Sequence, residues 1–322
     1  MLVVSEVRLR PDTQGSHEFD HEFAAGEITV VLGANQSGKT DLCRLIMGLN
    51  TRARGRVWID GHEVSGDGPR QRPVSLVYQA FVNYPNFTVA QNIASPLVAR
   101  GLAQAEMHAT VDNFATKLGI ADFLSRYPHE LSGGQQQRLA IARALAKGAR
   151  VLLLDEPLVN LDFKLREALE MELRDLLADS GTIVVYTSSD PGDAFALGDR
   201  VLLLADGDKV QTGAPIEVYR SPDNEKAMEL MADPCINHLQ LAGAPSALRP
   251  EHVALAAGAA SRHGGDLKFD MQVTACETNG NETFVHGIVE GHAWVIRCDG
   301  MWTLHSGERA ELVAHSADVV RF

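Results

Sequence analysis

No stretch of the 322-residue sequence approaches the roughly 18–20 consecutive apolar residues that a membrane-spanning helix needs. Cysteine is scarce. The four thiols (Cys43, Cys235, Cys276 and Cys298) are scattered, with no CxxC pair and no histidine at zinc spacing, which predicts reduced side chains and neither a disulfide framework nor a zinc site. Positive charge is also short: 29 Lys and Arg stand against 42 Asp and Glu, for a net charge of −13. No basic run relieves that deficit, so a phosphate backbone or an anionic bilayer is a poor direct partner. The opening Met1-Leu2-Val3-Val4-Ser5-Glu6-Val7 has no cationic flank and meets an acid at once, so no signal peptide is expected and a cytoplasmic site is.

What remains is an ordinary globular composition, 45% hydrophobic and 22% charged, in a chain long enough for two domains. The first part has an α/β style. Ile28–Leu32 runs into a Gly-rich turn, Val151–Leu154 ends at Asp155, and Thr182–Tyr186 ends in Thr187-Ser188-Ser189-Asp190. Continuous apolar runs of this kind suit strands buried on both faces of a mostly parallel sheet, whose ligands bind beyond the carboxyl ends. Between Thr88 and Pro128 the spacing of Ile93, Leu97, Val111, Phe114, Leu118, Phe123 and Leu124 is helical, predicting a helical subdomain over about 85–133. An amphipathic helix is predicted over Phe163–Ala178, with Leu165, Leu169, Leu173, Leu176 and Leu177 on one side.

Near residue 236 the style changes. Pro234, Pro245 and Pro250 punctuate the chain, and short alternating runs follow at Phe269–Ala275, Thr283–Val289, His292–Arg297 and Ala310–Ala314, separated by Asn-Gly, Asp-Gly and Ser-Gly turns. A nucleotide-type domain over 1–235 and a small all-β barrel domain over 236–322 are therefore expected. The second region holds six basic against ten acidic residues, which disfavours an oligonucleotide ligand. Seven of the twelve histidines lie past Cys235, dispersed as solvated surface groups rather than gathered as metal ligands.

Three segments carry chemistry. Gly33-Ala34-Asn35-Gln36-Ser37-Gly38-Lys39-Thr40 fits the phosphate-loop pattern GxxxxGK[ST] between a predicted strand and a predicted helix. Its backbone N–H groups and helix N-terminus would cradle phosphate, Lys39 would reach the β/γ oxygens, and the Thr40 hydroxyl would ligate Mg²⁺. The strand ending at Asp155-Glu156-Pro157 places one carboxylate for Mg²⁺ and the next to polarise an attacking water. In Leu131-Ser132-Gly133-Gly134-Gln135, Ser132 is an N-cap and two glycines allow close approach, offering a second helix N-terminus to a phosphate. One ATP does not need two such cradles on one chain, which points to two chains facing head to tail with ATP in the seam.

Taken in chain order, the phosphate loop, Gln79, Leu131–Gln135, the Asp155-Glu156 strand end and Leu161-Asp162 resemble the nucleotide-binding subunits of ATP-binding cassette (ABC) transporters. Tyr84–Ile93, Leu158–Arg166 and Arg249-Pro250-Glu251-His252 resemble the sugar and glycerol-phosphate importer branch. The resemblance implies ATP and Mg²⁺ as cofactors, with Thr40, Gln79 and Asp155 at the metal and Glu156 as the general base. It further implies a signature, Ser132, Gly133, Gly134 and Gln135, that closes on the opposite chain's γ-phosphate, and a communicating loop at Asp162. The C-terminal domain would be an oligonucleotide-fold-like regulatory barrel. Partners would be membrane permease subunits, docked through coupling helices in a groove that Phe81 and Tyr84 could line, and indirectly a periplasmic solute-binding protein. The chain would sit at the cytoplasmic face of the inner membrane.

Four departures stand out. Gln36 replaces a usual Gly, and Asp41 replaces a Ser or Thr and brings a negative charge beside the metal position. Val7-Arg8-Leu9-Arg10-Pro11-Asp12-Thr13 lacks the aromatic that normally stacks on adenine, leaving an Arg as the substitute platform. Ser189 stands where relatives carry a histidine that contacts the γ-phosphate. Such losses resemble the paired, non-identical ATPases of glycerol importers, so a second, different ATPase subunit is expected. Two other readings compete: a soluble cassette ATPase acting on nucleic acid or ribosomes, and a regulatory subunit that has lost hydrolysis.

Overall fold

The computed structural model describes residues 1–12, 16–80, 82–159, 163–178, 181–256 and 267–322; for 163–165 and 178 only the backbone is described. The chain divides into two compact units, Met1–Arg220 and Ser221–Phe322. In the first unit the strands are β1 Leu2–Arg8, β2 Phe19–Phe23, β3 Ile28–Leu32, β4 Arg54–Ile59, β5 His62–Glu63, β6 Val74–Val77, β7 Val151–Asp155, β8 Ile183–Ser188, β9 Arg200–Ala205 and β10 Asp208–Gly213. Its helices are α1 Lys39–Met47, α2 Val89–Ala99, α3 Gln104–Lys117, α4 Gly133–Ala146, α5 Phe163–Ala178, α6 Pro191–Leu197 and α7 Pro215–Arg220.

A six-stranded sheet in the order β10-β9-β3-β8-β7-β6 forms the centre, parallel except for the β9–β10 pair. Every residue of β3, β7 and β8 is buried, as their unbroken apolar runs require. Their registers align the carboxyl ends, pairing Leu32 with Ser188 and Asp155 with Thr187. The second, antiparallel sheet runs β2-β1-β4-β5, and Leu2, Val4, Phe23 and Val57 on it share a core with Val31, Leu42 and Leu153. Residues 89–146 contain no strand. There α2 and α3 bury Ile93, Leu97, Val111 and Ala115, as the predicted helical spacing implied. Helix α5 has the predicted bounds and buries Leu169, Leu173 and Leu177.

The second unit begins with α8 Glu225–Leu230 and holds β11 Asn237–Leu241, β12 Ala244–Leu248, β13 Val253–Leu255, β14 Leu267–Thr278, β15 Glu282–Val289, β16 His292–Asp299, β17 Arg309–Ala314 and β18 Val320–Arg321. These form a five-stranded antiparallel sheet, β13-β17-β14-β15-β16, and a three-stranded one, β11-β12-β18. The division at Arg220 precedes the change of sequence style near residue 236. Segment 221–235 joins the second unit because Met228 packs with Ile236 and Ala247, while buried Arg249 donates from Nη1 to the carbonyls of Met228 (3.5 Å) and Met231 (3.3 Å). A proline-based reading of the boundary could not anticipate that tie.

One buried group gives the first unit a pH dependence. His21 on β2 is 6% exposed, packs edge-on against Phe23 at 4.5 Å, and its Nε2 has no hydrogen-bond partner. Burial, with Lys209 and Arg200 nearby, lowers its pKa from 6.5 to about 4. The neutral ring is therefore favoured in the folded state. Its contribution, on the order of 3 kcal/mol, is complete above pH 6.5 and is lost as pH falls towards 4. Thermal unfolding midpoints should fall across that window, and His21→Leu should flatten the slope; an unchanged slope in the variant would remove His21 as its source.

Candidate functional site

The aligned ends of β3, β7 and β8 bring three segments together. Residues 33–38 connect β3 to α1, and the two end glycines are fixed by space and by backbone. A Cβ on Gly33 would meet the Leu204 carbonyl oxygen at 2.4 Å and Ser37 Oγ at 2.5 Å. A Cβ on Gly38, at φ 109°, would meet Leu9 at 2.9 Å. Gln36 stands at φ 67°, a left-handed conformation that costs a non-glycine residue energy, and the Arg10 guanidinium donates to its carbonyl. Arg10 thus grips the loop backbone, an arrangement that the absence of an aromatic between residues 7 and 13 did not reveal. Within the loop Ala34, Asn35 and Gln36 are exposed and Ser37 is buried.

Lys39 is only 4% exposed. Its Nζ donates to the carbonyls of Gly33 (2.6 Å) and Ala34 (3.0 Å) and lies 3.1 Å from Glu156 Oε1. The Thr40 hydroxyl donates to Asp155 Oδ1 at 3.1 Å, and the Thr187 hydroxyl donates to the same oxygen at 2.9 Å. Burial raises the Asp155 pKa, and the two hydroxyl bonds work against that rise. Glu156, at φ 46°, donates its backbone N–H to Thr187 Oγ1 at 3.0 Å, which turns its side chain toward Lys39. A loop with no room for a Cβ at either glycine, a buried ammonium and a Thr–Asp pair make a fitting cradle for a polyphosphate and a divalent cation.

Asp41 points elsewhere. Its carboxylate accepts from Thr51 Oγ1 at 3.0 Å and pairs with Arg52 Nε at 3.4 Å, so its charge is compensated on the side of α1 that leads to β4. Gln79 follows β6 and is exposed; the in-register pairing of Val77 with Leu154 sets it beside the Asp155-Glu156 end of β7. Ser189 is exposed and lines a small hollow with Glu156, Val159, Tyr186 and Arg166. Arg166 is held there by Asp190 (2.7 Å), Glu170 (2.9 Å) and Asp193, a network that the sequence reading missed.

At the other cradle Ser132 caps α4 reciprocally: Ser132 Oγ accepts from the Gln135 N–H at 3.4 Å, and Gln135 Oε1 accepts from the Ser132 N–H at 3.0 Å. Ser132 and Gly133 remain exposed, while Gly134 is buried. Tyr84 meets the tilted ring of Phe87 at 5.4 Å and lies under the Arg143 guanidinium at 4.6 Å. The apolar groove nearby is lined instead by Phe87, Ala94, Val98, Met107 and Val111 of α2, α3 and the preceding turn. Phe81 and Asp162 lie outside the described residues.

A strand-to-helix phosphate loop, an acidic strand end bonded to its Thr and a separately capped glycine helix define a P-loop ATPase of the cassette type. The profile described as ABC transporter matches residues 17–159. The sn-glycerol-3-phosphate import ATP-binding protein UgpC of Rhodopseudomonas palustris is 36% identical over 286 residues, covering 85% of this chain and 78% of that protein. The protein of the same name from Paracoccus denitrificans is 32% identical, covering 94% and 90%. Among solved structures, the ATP-binding cassette MJ0796, a dimer in a post-hydrolysis state with ADP and Pi, aligns with a TM-score of 0.58 at 26% identity, covering 67% of this chain and 99% of that one. The chain belongs to the ABC transporter family as an ATP-binding, ATPase subunit.

Replacing Lys39 by Ala removes a charged phosphate contact worth about 1.5–3 kcal/mol and strands Glu156 without its cation. Nucleotide affinity should fall tenfold or more in a fluorescence titration with a labelled ATP analogue. Wild-type affinity in Lys39→Ala would show the loop to be vestigial.

Proposed function

We propose that the chain energises import of a glycerol-phosphate, glycerol or related polyol, as one half of a nucleotide sandwich whose other half is a second, non-identical ATPase. The solute class rests on the likeness to glycerol-3-phosphate import subunits over most of the chain. The observation that carries the ATPase reading is the convergence of Lys39, Glu156, Thr40 and Asp155 at the aligned strand ends. No helix among the described residues is long and apolar enough to cross a membrane; attachment through permease proteins is supported by the likeness to import ATP-binding subunits. The net charge of −13 and the lack of a basic run in the sequence lend no support to a role on nucleic acid or ribosomes.

In this mechanism the β/γ phosphates enter the loop and draw Lys39 Nζ from the Gly33 and Ala34 carbonyls and from Glu156. Glu156, released from its cation, is then free to accept the proton of the attacking water. Thr40 and Asp155, with Gln79, would hold Mg²⁺, which supplies charge neutralisation across the phosphates. Thr187 keeps Asp155 and Glu156 at a fixed separation, since its hydroxyl accepts from one residue's backbone and donates to the other's carboxylate. The signature of one chain completes the site of the other.

Ser189 sets the asymmetry. A serine is shorter than an imidazole and uncharged, so it does not reproduce a contact from this position to the γ-phosphate. Losing one such transition-state contact costs about 10²–10³ in rate. Hydrolysis should be slow at this chain's own site and faster at the partner site that its signature completes. In the assembled transporter, Glu156→Gln here should therefore reduce steady-state ATPase activity far less than the matching substitution in the partner. The reverse ranking would invert the assignment, and full-rate hydrolysis by the purified chain alone would favour an ordinary homodimer.

The α2–α3 groove is the proposed seat of the permease coupling helix. Val98, 62% exposed, and Phe87, 41% exposed, present apolar surface there. Val98→Glu should release the subunit from permease-bearing membranes while ATP affinity stays within about twofold. Retention on those membranes would move the docking site away from this groove.

A further inference from the structure

We infer that Arg143 is a positioning residue that fastens the segment following Gln79 to the signature helix α4, so that the two report on ATP as one body. The inference rests on the ATPase reading above and assigns a role to a residue that neither cradles phosphate nor meets the solute.

The fastening has three levels along α4. Near its N-terminus the Asn83 side-chain amide donates from Nδ2 to the Gln136 carbonyl at 2.8 Å. Two turns on, Arg143 donates from Nη2 to the Val82 carbonyl and sets its guanidinium carbon over the Tyr84 ring, 4.6 Å from its centre. At the C-cap Lys147 donates from Nζ to the Val74 carbonyl at 2.7 Å, reaching β6 itself. Gln79 lies between the anchored residues 74 and 82. Any displacement of α4 is therefore imposed on both ends of the short segment that carries Gln79.

Arg143 is the member of this set that no shorter or rounder cation can replace in full. Its fork supplies a donor to a carbonyl while its flat face stacks on an aromatic, and Lys offers the charge without the plane. The guanidinium is partly buried, and burial lowers its pKa while the nearby Tyr84 opposes that shift. Its contacts are accordingly less screened than those of a surface arginine. The Tyr84 backbone is held on both sides. Its N–H donates to Asn92 Oδ1 at 2.8 Å, and the fully buried Asn92 returns a bond from Nδ2 to the Tyr84 carbonyl at 3.1 Å. Asn92 belongs to α2, one wall of the apolar groove, so the chain of contacts runs from α2 through Tyr84 and Arg143 to the signature helix. Nothing in it touches Lys39, Thr40 or Glu156. Arg143 should consequently govern how the signature and Gln79 are presented, and leave phosphate capture by the loop alone.

The test uses the assembled transporter with this chain in wild-type form and as Arg143→Met, Arg143→Lys, Tyr84→Leu and the Arg143→Met/Tyr84→Leu double variant. Three readouts are taken: the chain's Kd for Mg-ATP, the steady-state kcat for hydrolysis by the assembled transporter, and the thermal midpoint of the purified chain. The expected result is a Kd within twofold of wild type throughout, and a kcat about tenfold lower in Arg143→Met. Arg143→Lys should recover at least half of the activity. The double variant should be no slower than Arg143→Met, because the two side chains act through one contact. A kcat within twofold of wild type in Arg143→Met would overturn the inference, as would full additivity in the double variant. A loss of kcat that simply tracks the thermal midpoint, unrelieved by Lys, would reduce Arg143 to a structural part. If wild-type chain bound no Mg-ATP, the functional reading itself would fail and take this one with it; normal binding with an indifferent Arg143→Met would sink the fastening alone.

Discussion

The Asp155 carboxylate is where the architecture of the first unit converges. It is buried at the end of β7 and receives hydroxyl bonds from Thr40 of α1 and Thr187 of β8. Neither donor is near it in sequence. Each is brought there by a strand register: β3 ends beside β8 and delivers the loop and α1, and β8 ends beside β7 and delivers Thr187. A buried carboxylate without such donors would be costly and would hold a proton. The acid therefore depends on the sheet, and the site's geometry depends on the acid.

Lys39 follows the same logic with the opposite sign. A nearly buried ammonium must be satisfied, and it is satisfied by two carbonyls of its own loop and by Glu156. This couples two functions in one ion pair. Under the proposed mechanism phosphate would compete with Glu156 for the same cation, and the carboxylate would be freed as the negative charge of the substrate arrives. A base held in this way would be restrained until the nucleotide is in place, and the left-handed turn at Glu156 keeps it within reach of Lys39.

Legibility in the sequence followed distance along the chain. The phosphate loop, the Asp155-Glu156 strand end and the Ser132 cap are local signals whose glycines, apolar runs and capping residues lie within a few positions of each other, and the structure builds each where it was expected. Helix α5 was equally plain, since its leucine spacing is self-contained. Contacts made across the fold were not readable. Asp41 looked like an unwelcome charge because Thr51 and Arg52 lie beyond the end of α1, and Arg10 looked like a base platform because its bond to the Gln36 carbonyl spans 26 residues. The unit boundary was displaced for the same reason, Arg249 reaching back to the carbonyls of Met228 and Met231. Thr187 carried a usable signal: it is the residue opposite Asp155 once the two apolar runs are laid in parallel register.

The two cradles of this chain are built on different principles, and that difference bears on how the chain divides its labour. The phosphate loop is rigid by exclusion, with glycines pinned against Leu204, Ser37 and Leu9. The signature cradle is a helix end, exposed at Ser132 and Gly133 and steadied through the body of α4. The first can capture phosphate without help. The second acquires meaning only when a facing chain supplies the phosphate, so its placement has to be controlled from elsewhere in the molecule. The elements tied to α4 include the segment after Gln79, which in turn meets α2 beside the exposed groove, and α5 through the Arg138–Glu172 pair. Under the proposed pairing, Ser189, beside Glu156, would bear on the chain's own site, and α4 on the partner's. Chemistry at one site and closure of the other would then be separable, which is the physical condition under which a cassette can lose catalytic power in its own half and still serve its partner.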